Sequence, residues 1–284
     1  MKARRFRQLF WFGLSGLAVL VVVGMLVLVV GDIIAKGAGV VSWEFLTEMP
    51  RRSMTEGGIW PAILGTLLLS VGAIVFALPL GLFAAIYLVE YSREGRLRRW
   101  IRIGVNSLSG VPSVVFGLFG LALFVNYFGL GASLLAGGLT LGLMVLPLII
   151  RATEEALKAV PVSFREASLA LGATRWHTTV RVVLPAALSQ ILTGVILAVG
   201  RAAGETAPIL FTAAVFFTKR LPTGLSSKVM ALPYHIYALL TEGTHPVEQT
   251  AMAYGTALVL LMLVLVVNGT AIFFRIRARK GKKW

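Results

Sequence analysis

Six apolar stretches divide this 284-residue chain: Leu9–Val30, Ile59–Val89, Val111–Tyr127, Leu134–Ile150, Ala186–Phe216 and Ala251–Phe274. A helix of about twenty apolar residues matches the ~30 Å hydrocarbon layer of a bilayer. Inside that layer each backbone N–H and C=O has to be satisfied within the segment, so such runs fold as helices. With 57% hydrophobic and 14% charged residues, the composition lies far outside the soluble norm. The expected fold class is therefore all-α, a polytopic membrane protein with six transmembrane helices. Lys2, Arg4, Arg5 and Arg7 before the first run suggest a secretory signal, but its apolar core is too long and lacks a small-residue cleavage site. It is expected to be a retained helix.

Charge sets the orientation. With both termini inside, the inner segments carry twenty Lys/Arg and five acids, whereas the two longer outer loops carry six of each. The whole formal net charge of +15 then lies on one face, as the positive-inside rule requires. The basic character is accounted for by topology, and nucleic acid is not an expected partner. The chain is expected to be a multi-pass membrane protein with both termini in the cytoplasm and the lipid bilayer as surroundings. There are no cysteines, so neither a disulfide framework nor thiol chemistry is available. His177, His235 and His245 are isolated and read as solvated or loop-packed. Asn268-Gly-Thr matches a glycosylation pattern but lies within the last apolar run.

The chain divides into an N-terminal helix with its outer segment (1–58), a transmembrane core (59–275) and a basic tail (276–284). Pro79 and Gly81 predict a kink or a break in the second span. Arg93 to Trp100 predicts an interfacial amphipathic helix. Gly110-Val-Pro-Ser113 suits a helix start. In the outer loop 218–248, the stretch Met230–Leu240 predicts a small helix lying on the membrane.

No phosphate-binding loop, dinucleotide fingerprint, His-Glu-x-x-His or nucleophile elbow is present. Energy for any work has to arrive from elsewhere. Arg201 and Glu205, in Gly200-Arg-Ala-Ala-Gly-Glu-Thr-Ala-Pro208, are charges inside an apolar run, each costing about 2.5–3.5 kcal/mol to insert. Spaced four apart, they are expected on one helix face near the middle of the fifth span, with Pro208 loosening the helix a turn later. Two roles are open. The pair neutralises itself and locks packing, or Arg201 offers a planar fork to a passing oxyanion while Glu205 positions that fork and tempers binding.

The remaining feature is a polar loop between the fourth and fifth spans. Ser163 and Glu166 are spaced as a capping box, Pro161 precedes them and Gly172 supplies a left-handed stop. A two-turn helix from Phe164 to Leu171 is expected, shaped as a docking peg.

Glu166-Ala167-Ser168, then Gly172, then Val182-x-Leu184-Pro185 resembles the cytoplasmic signature of binding-protein-dependent ABC importer permeases. Ser168 stands for alanine and Val182 for isoleucine. Gly57–Thr66, Leu82–Tyr91, Gly110–Gly120, Pro147–Leu157 and Arg201–Thr212 are similar to phosphate importer permeases of the PstA type. The resemblance runs from about Gly57 to the last span. It implies a type I ABC importer permease core that is a transport subunit and not an enzyme. ATP would be bound by two partner ATPase subunits, and the chain itself would hold no cofactor and no metal. The other implied partners are a homologous permease and an external phosphate-binding protein. The coupling segment 163–172, with Ser163, Glu166, Ala167, Ser168, Gly172, Leu184 and Pro185, would meet the ATPase. Arg201, Glu205 and Thr206 would line the substrate path. A permease for sulfate or molybdate is the alternative, with a passive anion channel or a membrane-embedded enzyme as more distant ones.

Overall fold

The computed structural model describes residues 2–218, 220–243 and 245–280, with side chains described except at 2–7, 9, 53, 274 and 278–280. Among the described residues five helices are long and apolar enough to cross a bilayer: Phe10–Gly37, Trp60–Tyr91, Leu134–Lys158, Arg175–Gly204 and Pro246–Arg277. A bent pair, Arg96–Ser109 and Ser113–Tyr127, turned through 105°, reaches the length and apolarity of a sixth span only when its two parts are taken together. The protein is thus all-α and polytopic.

The first helix, α1 (Lys2–Gly37), stands apart, with its apolar side chains exposed from Phe10 to Val29. Its far end meets α12 (Pro246–Lys280), where Gly37 lies against the Tyr254 carbonyl and Lys36 pairs with Asp32 at 2.8 Å beneath the Tyr254 ring. The contact joins the last turn of α1 to the early part of α12. Between α1 and the core come α2 (Trp43–Thr47) and a short hairpin of β1 (Pro50–Arg51) and β2 (Glu56–Gly57). Phe45, Met54 and Ile59 from this segment are buried.

The core is built on α3 (Trp60–Ile86), α6 (Leu134–Lys158) and α9 (Leu184–Gly204). Lipid tails are as apolar as leucine, so close packing rather than water exclusion holds spans together, and small residues permit it. At Gly142 a Cβ would meet the Phe76 ring at 2.6 Å, and at Gly194 it would overlap Ala152. Leu69, Ala73, Ala77, Leu141, Val145 and Ile149 fill the α3–α6 seam, and Ala198 and Ala202 add the α9 side.

Several expectations are corrected here. The second span is not broken at Pro79, because α3 runs unbroken from Trp60 to Ile86 and ends in a π-helical turn, Tyr87–Tyr91. Gly81 serves close packing instead, since a Cβ there would meet Ile149 at 2.7 Å. The third span is short: α5 (Ser113–Gly120) and its π-helical continuation (Leu121–Tyr127) have 8 and 7 residues. The helical segment thus begins two residues after the expected start at Val111 and ends at the expected Tyr127. The helix before it, α4 (Arg96–Ser109), confirms the expected amphipathic element and extends it beyond Trp100.

The apolar run 186–216 is also not one helix. It stops at Gly204 and resumes as α10 (Ala207–Thr212). The outer stretch near Met230 does not lie on the surface either. Met230 is wedged against Gly65 of α3, and α11 (Leu232–Thr241) buries Leu232, Tyr234, His235, Ala238 and Leu239. Thr66 accepts the Leu232 amide at 2.8 Å, and Ala214 bridges Val229. These contacts satisfy polar backbone groups of the loop inside the protein.

Candidate functional site

The loop after α6 forms α7 (Val162–Ala170) and α8 (Arg175–Thr178), which runs through a π-helical turn, Thr179–Val183, into α9. The expected capping box does not form. Pro161 occupies the N-cap with ψ 140, placing Ser163 inside the first turn, where its hydroxyl makes no cap bond. The C-terminal stop does form. Gly172 takes φ +83, its N–H donates to the Leu169 carbonyl at 3.0 Å, and Ala173 N–H donates to Ser168 at 3.2 Å. This is the paired bond pattern of a Schellman end.

No side chain of α7 is buried. Ser163, Glu166, Ala167 and Gly172 are exposed, as are the apolar Val162, Leu169 and Leu171, the last 90% accessible. Contacts of Phe164, Ser168 and Arg165 hold the inner side. Phe164 packs against the Ala85, Ile86 and Leu157 cluster, and Ser168 Oγ lies 2.9 Å from Thr178 Oγ1. Arg165 is the third, and sequence reasoning missed it. Its Nε donates to Glu90 Oε1 and Oε2 at 3.1 and 3.3 Å, and its Nη2 to Glu90 Oε1 at 2.7 Å. It also caps α6, giving Nη2 to the Leu157 carbonyl and Nη1 to the Val160 carbonyl, both at 2.8 Å. Leu184 and Pro185 open α9, with Leu184 half-buried against the same cluster.

The charged pair lies at the other end of α9. Arg201 is in its last turn, while Glu205 is already off the helix in extended conformation, with φ −80 and ψ 133. Pro208 explains the break: it has no N–H for the Gly204 carbonyl, and its ring would crowd that carbonyl in a continued helix. The two side chains do meet, Arg201 Nε to Glu205 Oε1 at 3.4 Å, with exposures of 46% and 20%. Among the described residues the terminal nitrogens of Arg201 have no further hydrogen bond. Thr206 is half-buried at the start of α10 and makes no side-chain cap bond. The expected juxtaposition of Arg201 and Glu205 is therefore found, but at a helix break rather than along one face.

Gln190, Leu197, Arg201 and Gly204 form an exposed stripe along α9. On the opposite side, a cleft of about 300 Å³ between α3, α9 and α12 is walled by Ser70, Ile74, Val199, Gly200, Ala203 and Val267, without Arg201. Asn268 sits against Gly200, its Oδ1 buried without a partner among the described residues. In the sequence it stood out only as part of a glycosylation pattern.

At the end of the bundle that holds α7, α4 is tied to α6 by Arg102 and Glu154 at 2.6 Å, with Lys158 at 3.0 Å. Arg151 also donates to Asn106 at 2.8 Å. Sequence spacing gave no sign of the Arg102–Glu154 and Arg151–Asn106 ties, whose partners lie 52 and 45 residues apart.

A helical bundle with an exposed but anchored loop helix at one end and a charged pair at a broken span defines the membrane component of a transport system. The chain matches the family described as binding-protein-dependent transport system inner membrane component over residues 77–280, and it belongs to that family. It is 34% identical to the probable ABC transporter permease protein YqgI of Bacillus subtilis, over 94% of this chain and 96% of that one. It is 39% identical to phosphate transport system permease protein PstA 1 of Mycobacterium tuberculosis, over 80% of this chain and 72% of that one. A PstA of Mycobacterium leprae is 38% identical over 90% and 84%. Among solved structures, a bacterial alginate ABC transporter superposes with TM-score 0.63 at 14% identity, covering 91% and 92% of the two chains. An inward-facing MetNI methionine transporter gives 0.59 at 19% identity, covering 78% and 94%. At those identities the structural likeness speaks for the fold alone.

Proposed function

We propose that this chain is the membrane permease subunit of an ATP-driven importer of inorganic phosphate. The observation that carries the substrate is the 38–39% identity to PstA permeases over most of the chain. The geometry supports the transport role independently. A guanidinium and a carboxylate facing hydrocarbon would each cost several kcal/mol, so the exposed stripe bearing Arg201 belongs against a partner or an aqueous path. The single long contact to Glu205 leaves the planar end of the guanidinium available for two parallel bonds to an oxyanion. Glu205 keeps that affinity low enough for release, as a conduction site requires.

In this reading a homologous permease covers the exposed α9 stripe, two ATPase subunits receive α7, and an external binding protein delivers phosphate. Both termini lie in the cytoplasm of a bacterial cell and residues 59–275 form the transport core. Nucleotide is held by the ATPase subunits, and their closure moves α7, α8 and the Leu184–Pro185 start of α9. Exposed Glu166, Ala167, Leu169 and Leu171 form the docking face, and Ser168 and Gly172 hold its shape. The path then opens alternately to the two sides of the membrane.

The test is labelled-phosphate uptake into proteoliposomes holding the full complex, with binding protein outside and ATP inside, run beside labelled sulfate. ATP-dependent uptake of phosphate and not of sulfate is expected. The reverse preference would assign another oxyanion, and uptake without ATP would indicate a passive channel.

A further inference from the structure

We propose that Arg165 is the positioning residue that carries ATPase movement from α7 into the spans α3 and α6, with Glu90 as its counterpart. The inference rests on the importer reading and goes beyond it. Residues on the outer face of α7 would meet the ATPase, but a docking face alone moves nothing unless the helix is tied to the bundle. Ser168 reaches Thr178, at the approach to α9, and Phe164 packs on an apolar cluster. Among the described residues, the directed bonds that join α7 to both α3 and α6 are those of Arg165. It forks onto both Glu90 oxygens at the end of α3 and holds the Leu157 and Val160 carbonyls at the end of α6.

Three physical features suit this group to transmitting force. Its side chain is 18% exposed and that of Glu90 11%, so water competes weakly for the bonds. A guanidinium is always charged and planar, and fixes direction as well as distance, which an ammonium does not. Glu90 itself lies in a π-helical turn, a local distortion that recurs at functional positions and can re-register without breaking the helix. A downward or sideways movement of α7 therefore pulls α3 and α6 together, and these are the two spans most closely packed through Gly142 and Gly81.

The experiment uses the complete reconstituted complex with wild type, Arg165→Gln, Arg165→Lys and Glu90→Gln, each checked for assembly by co-purification. Phosphate uptake and ATP hydrolysis are measured in the same vesicles. Uptake per ATP is expected to fall about tenfold or more in Arg165→Gln and Glu90→Gln, with hydrolysis within about twofold of wild type. Arg165→Lys should recover part of the ratio through charge alone. An unchanged ratio in both neutral variants, or parallel loss of uptake and hydrolysis, would overturn the proposal.

A second measurement needs no substrate. The chain has no cysteine, so spin labels can be placed at exposed Glu94 and Arg175 alone. Their distance distribution should be narrow with and without nucleotide in wild type and broad in Arg165→Gln. Equal widths would overturn the clamp. Failure of wild type to import phosphate would instead sink the substrate assignment and leave this result standing.

Discussion

Gly172 has open space around the position of a Cβ, yet its φ of +83 is a conformation that an L-residue adopts only at a cost of about 1–2 kcal/mol. Gly172→Ala therefore tests backbone conformation without a steric change. The expected result is a frayed end to α7 and up to about tenfold weaker retention of the ATPase subunits, read by titrating them onto the purified permease. Gly142 presents the opposite case, a residue with ordinary conformation but no room. Gly142→Val should force α3 from α6 and destabilise the bundle by about 1–3 kcal/mol, visible as a lower melting midpoint in detergent. At Glu205 the prediction concerns chemistry. Glu205→Gln should leave assembly intact and alter phosphate uptake, because the neutral amide no longer offsets Arg201. Uptake equal to wild type would remove Glu205 from the mechanism.

At the scale of elements, α11 has a consequence that its sequence did not advertise. Burial lowers the His235 imidazole to about 4, from an ordinary value of 6.5. Between those values the unfolded chain binds more protons than the folded one. The group's contribution to stability is thus complete above about pH 6.5 and is lost as the pH falls toward 4. At pH 5 the loss amounts to about 2 kcal/mol. The melting midpoint should fall between pH 7.5 and 5, and His235→Gln should flatten that dependence. An equal slope in the variant would mean that other groups cause it. The isolated histidine could not be placed from sequence, because burying a half-apolar loop depends on what α3 and α12 leave open above it. Long helices were legible because lipid dictates their length and composition. Their interruptions were less so. Pro79 looked like a break, yet packing against α6 keeps α3 continuous. The break at Glu205 was foreseen a turn late, since Pro208 acts on the carbonyl four residues before it. Ser163 and Glu166 had the spacing of a capping box, but Pro161 took the N-cap position. Arg165 was visible only as one more charge, because Glu90 lies 75 residues away.

For the whole molecule, the proposed function joins the two charged features in one mechanism. α7 lies by the ends of α3 and α6 and the start of α9, and Arg201 lies at the far end of the same α9. In the proposed importer this 21-residue helix would link the docking face to the oxyanion path, so that tilting it would move both. The exposed stripe on α9 is the face that a homologous permease would complete. The most direct measurement is ATP-dependent phosphate uptake by the assembled complex carrying Arg201→Gln. The expected result is a loss of at least about two orders of magnitude, with assembly and basal ATP hydrolysis retained, since removal of a charge-assisted site at low dielectric costs roughly 3 kcal/mol or more. Uptake at the wild-type rate would contradict it and reduce Arg201 and Glu205 to a packing pair.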